Sequence, residues 1–109
     1  MRTYMRVGAL LLVLLLAFLL PVMGKGDVAK GKVVYKRCAA CHGDAGEGRE
    51  AIAKMFGVTM HPLSSTEVQS LGNDALKKII LDGKGKMKPL GLSDAEAEDV
   101  LAFLRSLKK

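Results

Sequence analysis

The sequence predicts an all-α fold of three to five helices in one small domain, and three observations predict it. Apolar residues recur at helical spacing in residues 27–38, 73–83 and 93–109. Helix-starting and helix-stopping residues stand at the ends of these stretches. The connections are rich in glycine, and no convincing strand lies near the run Cys38-Ala39-Ala40-Cys41-His42.

The N-terminus reads as a targeting segment. Arg2 and Arg6 give a basic start, Val7 to Leu20 an apolar run, and Val22 and Gly24 a small-residue exit. That order is a secretory signal peptide, with the cut placed after Gly24. The alternative is an uncleaved anchor; Val7 to Met23 is marginal for a bilayer, which needs about 20 apolar residues. The expected organisation is a signal segment over residues 1–24 and one domain over residues 25–109. Losing Arg2 and Arg6 lowers the net charge from +6 to +4, so the domain stays basic. The 50 % hydrophobic content is inflated by the N-terminal run. A domain this short has trouble burying enough apolar surface to offset its chain entropy.

Residues 27–38 predict the first helix, with Val28, Gly31, Tyr35 and Cys38 on one face and Val34 beside them. Gly31 in mid-helix costs about 1 kcal/mol against Ala, which implies a second helix crossing close to it. Residues 43–48 are a glycine-rich loop without phosphate-loop spacing. Residues 50–56 predict a short helix. His61 precedes Pro62, so residues 60–63 are expected to be extended. Asn73 is the expected N-cap and Gly83 the expected C-cap of a helix whose apolar face is Leu76, Ile79 and Ile80. Ser93 and Glu96 form a capping-box pattern. Acidic residues crowd the first turns of that last helix, where they favour its dipole. Ala97, Val100, Leu101, Phe103, Leu104 and Leu107 form its buried face.

The chemistry lies in Cys38-Ala39-Ala40-Cys41-His42. Two thiols at i and i+3 sit one helical turn apart and can reach the two vinyl groups on one edge of a porphyrin. The His is then carried under the ring to ligate the iron. This is the pattern of c-type haem attachment. Three other readings fit less well. A thioredoxin-like site needs a βαβ setting. A structural zinc site would consume Cys38, Cys41, His42 and His61, every such ligand in the chain. A Cys-x-x-Cys disulfide closes too small a loop to stabilise much. One covalently held haem c would also supply the centre of the core. Thioether attachment outside the cytoplasm agrees with export to the periplasm or the outer face of the cytoplasmic membrane.

The sequence resembles the small class I cytochromes c over nearly all of residues 25–109. Gly31-x-x-x-Tyr35-x-x-Cys38 looks like the family's first helix running into its haem site. Pro62-Leu63 resembles the proline whose carbonyl takes the proton of the proximal His and the leucine that packs on the ring. Residues 81–87, ending in Met87, resemble the loop that delivers the axial Met, and residues 100–104 resemble the last helix, which crosses the first at the Gly. The resemblance implies the cytochrome c fold, wrapped around one covalent haem. Two features depart from the pattern. The chain has no Trp, which some relatives use to bond a haem propionate; Arg49 and Lys54 are candidate cations for that task. Lys88 separates Met87 from Pro89.

Met87 is the expected sixth ligand. Met55 and Met60 read as core filler, and His61 adjoins the proline expected on the proximal side. Ligation by His42 and Met87 saturates the iron, which points to a one-electron shuttle between exported or membrane-bound redox partners and not to an enzyme. The rival reading is a haem-based enzyme subunit or gas-binding sensor whose sixth ligand is labile or absent. Lys84, Lys86 and Lys88 around Met87, with Lys77 and Lys78 before them, predict a basic rim steering the molecule toward redox-partner proteins with acidic docking surfaces. The plain alternative is a solvated charged surface. The modest charge and the export signal argue against nucleic acid. Membrane contact is expected only through partners or an uncleaved anchor, and the molecule is expected to be a monomer.

Overall fold

A computed structural model describes residues 26–109; the predicted signal segment lies outside them. Six helical segments follow one another: α1 Val28–Tyr35, α2 Ala39–His42, α3 Glu50–Phe56, α4 Thr66–Gln69, α5 Asn73–Asp82 and α6 Asp94–Ser106. Two of them, α2 and α4, are single turns. There are no strands among the described residues, so the all-α prediction holds.

The frame is the crossing of α1 and α6. Asp27 caps α1 by accepting from the Lys30 amide at 2.9 Å. It also ties the helix to α6, where its own amide donates to Asp99 Oδ1 at 2.8 Å. Gly31 is buried, and a Cβ there would collide with the Asp99 carbonyl and lie 3.0 Å from Phe103 Cβ. Only a residue without a side chain lets the two backbones approach this closely. Tyr35 and Phe103 close the crossing, with ring centroids 4.8 Å apart and planes tilted by 48°. The sequence placed Val28 on this face, but it is 47 % exposed. Gly26 meets α6 there instead, its backbone lying against the Glu98 carbonyl.

The first helix is also shorter than predicted. After Tyr35 the chain tightens to i→i−3 bonding, Arg37 N to Val34 O at 3.1 Å and Cys38 N to Tyr35 O at 2.7 Å. It then resumes as the separate turn α2.

The capping box at α6 forms as expected: Glu96 N donates to Ser93 Oγ at 3.1 Å and Ser93 N to Glu96 Oε1 at 3.0 Å. Gly83 closes α5 with φ +76°. Asn73 is not the α5 cap. Gly72 takes that position, because the Asn73 carboxamide oxygen accepts from Arg105 Nε and Nη2 at 3.0 and 2.9 Å. The unpredicted turn α4 belongs to the same network. Arg105 reaches the Gln69 carbonyl at 2.9 Å and the Leu71 carbonyl at 2.6 Å. Gln69 Nε2 in turn donates to the carbonyls of Leu63 and Leu104 at 2.8 and 2.9 Å. One cation on α6 thus fastens residues 63–73, which form one wall of the site.

Candidate haem site

Four elements converge on one cleft. Tyr35, Cys38 and His42 reach it from α1 and α2, Ile79 and Ile80 from α5, and Val100 and Leu104 from α6. Leu63, Val68 and Leu71 form the wall held by Arg105. Met87, Leu90 and Leu92 line it from the loop between α5 and α6. The cleft holds about 240 Å³. Its lining is mostly aliphatic, which suits a large apolar group.

The attachment turn is braced from three directions. Tyr35 donates its hydroxyl to the Gly43 carbonyl. Arg49 Nε donates to the Ala39 carbonyl at 2.9 Å. The amides of Gly48 and Arg49 donate to the carbonyls of His42 and Cys41 at 2.6 and 3.0 Å. Burial pushes the Tyr35 phenol up to about 12. Burial also raises the Cys38 thiol, with nearby Arg37 acting the other way. A raised thiol is the reverse of the low-pKa cysteine that drives thiol–disulfide exchange, and with no strand among the described residues the βαβ setting of a thioredoxin-like site is missing too. Both cysteines are free and partly buried.

Burial lowers the His42 pKa and keeps its imidazole neutral, the form that binds metal. His42 Nδ1 is buried without a hydrogen-bond partner. The Pro62 carbonyl, expected to receive that proton, accepts from the Ser65 amide at 3.0 Å, which leaves one of its two lone pairs unused. Leu63 does line the cleft, and its amide donates to the Gly46 carbonyl at 2.8 Å, which ties the Pro62-Leu63 segment to the loop after His42. An aliphatic cleft, a neutral buried imidazole and two thiols one turn apart fit a covalently attached haem. Cys38 and Cys41 would hold it, and His42 would ligate its iron.

The Met87 side of the cleft is built differently. Lys84 and Met87 exchange backbone hydrogen bonds at 2.9 Å in both directions, which folds residues 84–87 into a tight turn. Gly83 makes room for it, since a Cβ there would strike the Met87 carbonyl.

Several residues differ from their predicted roles. Met60 and His61 line the cleft as well. Met60 lies against Gly48, where a Cβ would be 3.4 Å from its Cγ. The only signal in the sequence was their position just before Pro62. Arg49 is committed through Nε to the attachment turn, and Lys54 pairs with Glu50 at 3.2 Å on the surface of α3. Lys77, assigned to the basic rim, is held 2.9 Å from both Asp94 and Glu98. Of the predicted rim, Lys78, Lys84, Lys86 and Lys88 are exposed and take no part in the ion pairs among the described residues.

Fold and site together define a c-type cytochrome domain. The chain belongs to the cytochrome c family, whose pattern, described as Cytochrome c, matches residues 28–108. Membership implies covalent haem c, and Cys38, Cys41 and His42 supply its attachment motif. The chain is 36 % identical over 87 residues to the "Cbb3-type cytochrome c oxidase subunit CcoP" of Azospirillum sp. (strain B510), an alignment covering 75 % of this chain and 29 % of that one. It is 37 % identical over 93 residues to the "Thiosulfate dehydrogenase" of Stutzerimonas stutzeri (strain A1501), covering 76 % and 28 %. It thus spans less than a third of either relative. Among solved structures, the "KustC0563 c-type cytochrome" superposes with a TM-score of 0.62 at 23 % identity, over 72 % of this chain and 98 % of that one. At that identity the likeness bears on the fold alone.

Proposed function

We propose that this protein is a single-haem, one-electron carrier with His42 and Met87 as axial ligands, acting in the periplasm or on the outer face of the cytoplasmic membrane, and not itself an enzyme. The observation that carries the reading is that Met87 lines the same cleft as His42, from a loop far away in sequence. When bound, the haem supplies a one-electron ferric/ferrous couple, whose potential thioether ligation raises. Cys38 and Cys41 would fix its position and His42 would orient it. The aliphatic walls would limit the access of water to it, and the turn at residues 84–87 would offer Met87 as the second ligand. Ligation by both His42 and Met87 would leave the iron no open position for a substrate.

Lys84, Lys86 and Lys88 give the Met87 side a positive rim suited to acidic redox partners. Export is supported by the basic and apolar N-terminal sequence. Among the described residues no helix is long and apolar enough to cross a membrane.

Two measurements test the proposal. The ferric protein should show the weak far-red sulfur-to-iron band at neutral pH, and Met87→Ala should abolish it. The reduced protein should bind carbon monoxide slowly and weakly. Prompt, tight binding together with an absent far-red band would favour the rival, a haem enzyme subunit or gas sensor with a labile sixth position.

A further inference from the structure

We infer that Arg37 is the positioning residue that fastens the loop carrying Met87 to the haem-attachment turn; the inference rests on the proposed ligation by Met87. The loop between α5 and α6 has few polar ties. Lys84 and Met87 bond through their backbones only to each other, and no backbone hydrogen bond among the described residues involves residues 88–92. One side chain reaches that stretch. Arg37 Nη2 donates to the Leu90 carbonyl at 2.9 Å, across 53 positions of sequence. Arg37 is the residue just before Cys38, so this bond runs from the attachment turn itself to the loop. Arg37 takes part in none of the ion pairs among the described residues. Glu96, at the start of α6, lies near enough to feel it: the Ser93 amide and hydroxyl lower that carboxyl most, and Arg37 adds to the effect.

The chain between Leu90 and Met87 is stiff, which makes the anchor effective. Pro89 has a fixed φ, and Lys88, as the residue before a proline, is pushed to extended backbone. Few torsions remain free between the pinned carbonyl and Met87. At the other end Gly83 lies against both residues: a Cβ on it would strike the Met87 carbonyl and stand 3.0 Å from Pro89 N. Leu90 also lines the cleft and Leu92 is buried. Those apolar contacts hold the loop to the core, but hydrophobic attraction is non-directional. The hydrogen bond adds the direction, and it sets the loop relative to the turn that carries Cys38 and His42. A thioether has no charge to hold it on ferric iron. Its occupancy of the sixth position would depend on the effective concentration at which its loop presents it.

The test titrates the ferric haem-loaded protein with imidazole, which competes with the thioether, and follows the far-red sulfur-to-iron band. Arg37→Ala should bind imidazole roughly three- to tenfold more tightly than the wild type, the factor one hydrogen bond supplies. Arg37→Met keeps the aliphatic stem and removes the donors. It should match Arg37→Ala, and it gives the same reading where Ala impairs haem attachment. Arg37→Lys retains a cationic donor and should recover part of the difference. Lys36→Ala removes a neighbouring exposed cation and should leave the affinity unchanged. A normal band in the wild type with equal imidazole affinity in Arg37→Ala and Arg37→Met would overturn this inference alone. So would an equal gain in Lys36→Ala, or a lowered melting temperature in the Arg37 variants at unchanged imidazole affinity, which marks a purely structural role. Absence of the band from the wild type at neutral pH would overturn the Met87 ligation itself, and this inference with it.

Discussion

The two sides of the haem cleft are held by different amounts of structure. The attachment turn sits at the end of α1 and is fixed by Tyr35, by Arg49 and by the amides of Gly48 and Arg49. Behind it lies the α1–α6 crossing, sealed at Gly31. The Met87 turn is closed by two backbone hydrogen bonds and the left-handed Gly83, and its lysines are exposed. Local openings draw on regions with few buried contacts. On the proposed ligation by His42 and Met87, the His42 side should therefore persist when the Met87 side lets go.

The strongest way to break this contrast is Gly31→Leu. The new side chain would run into the Asp99 carbonyl, and overpacking costs roughly 1–3 kcal/mol or more. Here the obstacle is backbone, so the upper end or beyond is expected, with loss of cooperative unfolding in a thermal melt. Near-normal melting would show that the crossing does not support the attachment turn. Arg105→Ala comes next. It leaves the carbonyls of Gln69 and Leu71 and the Asn73 side chain without their cationic donor, a loss of roughly 2–3 kcal/mol. Denaturant titration of the holoprotein measures it, and Arg105→Lys should recover only part, because one ammonium cannot reproduce the fork.

Gly83→Ala sharpens the contrast from the other side. At φ +76° and ψ 178° the backbone lies in a region essentially confined to glycine, which disfavours a Cβ by roughly 1–3 kcal/mol, and this Cβ would also strike the Met87 carbonyl. The far-red band should weaken or vanish while the haem stays covalently attached on a denaturing gel. A parallel loss of attached haem would mean that the two sides are not independent. The smallest effect belongs to Tyr35→Phe, about 1 kcal/mol for the lost hydrogen bond to the Gly43 carbonyl. Its pH signature is more informative. The folded phenol is raised to about 12 from 10.0, so the unfolded chain releases its proton first. That contribution to stability is complete below pH 10 and is lost as pH rises from 10 toward 12. The variant should lack this part of the alkaline loss, as seen by melting at graded pH.

The sequence by itself determined whatever depends on near neighbours or on a fixed spacing. Cys38, Cys41 and His42 could be read because attachment needs them within one turn. The Ser93–Glu96 box and the Gly83 stop were legible for the same reason: capping is a contact between residues at most a few positions apart. Gly31 revealed a crossing because a glycine on an apolar helical face has few other uses. Only the tertiary structure decided the contacts between distant segments. Arg105 is an unremarkable cation in sequence, and it becomes the clamp of residues 63–73 only when α6 lies beside them. Asn73 loses its capping role to that same cation. Lys77 leaves the basic rim because α6 brings Asp94 and Glu98 to it. Met60 and His61 enter the cleft because the loop after His42 turns back against them. Each of these outcomes depends on which of several available partners the fold brings within reach. Spacing along the chain holds no record of that choice.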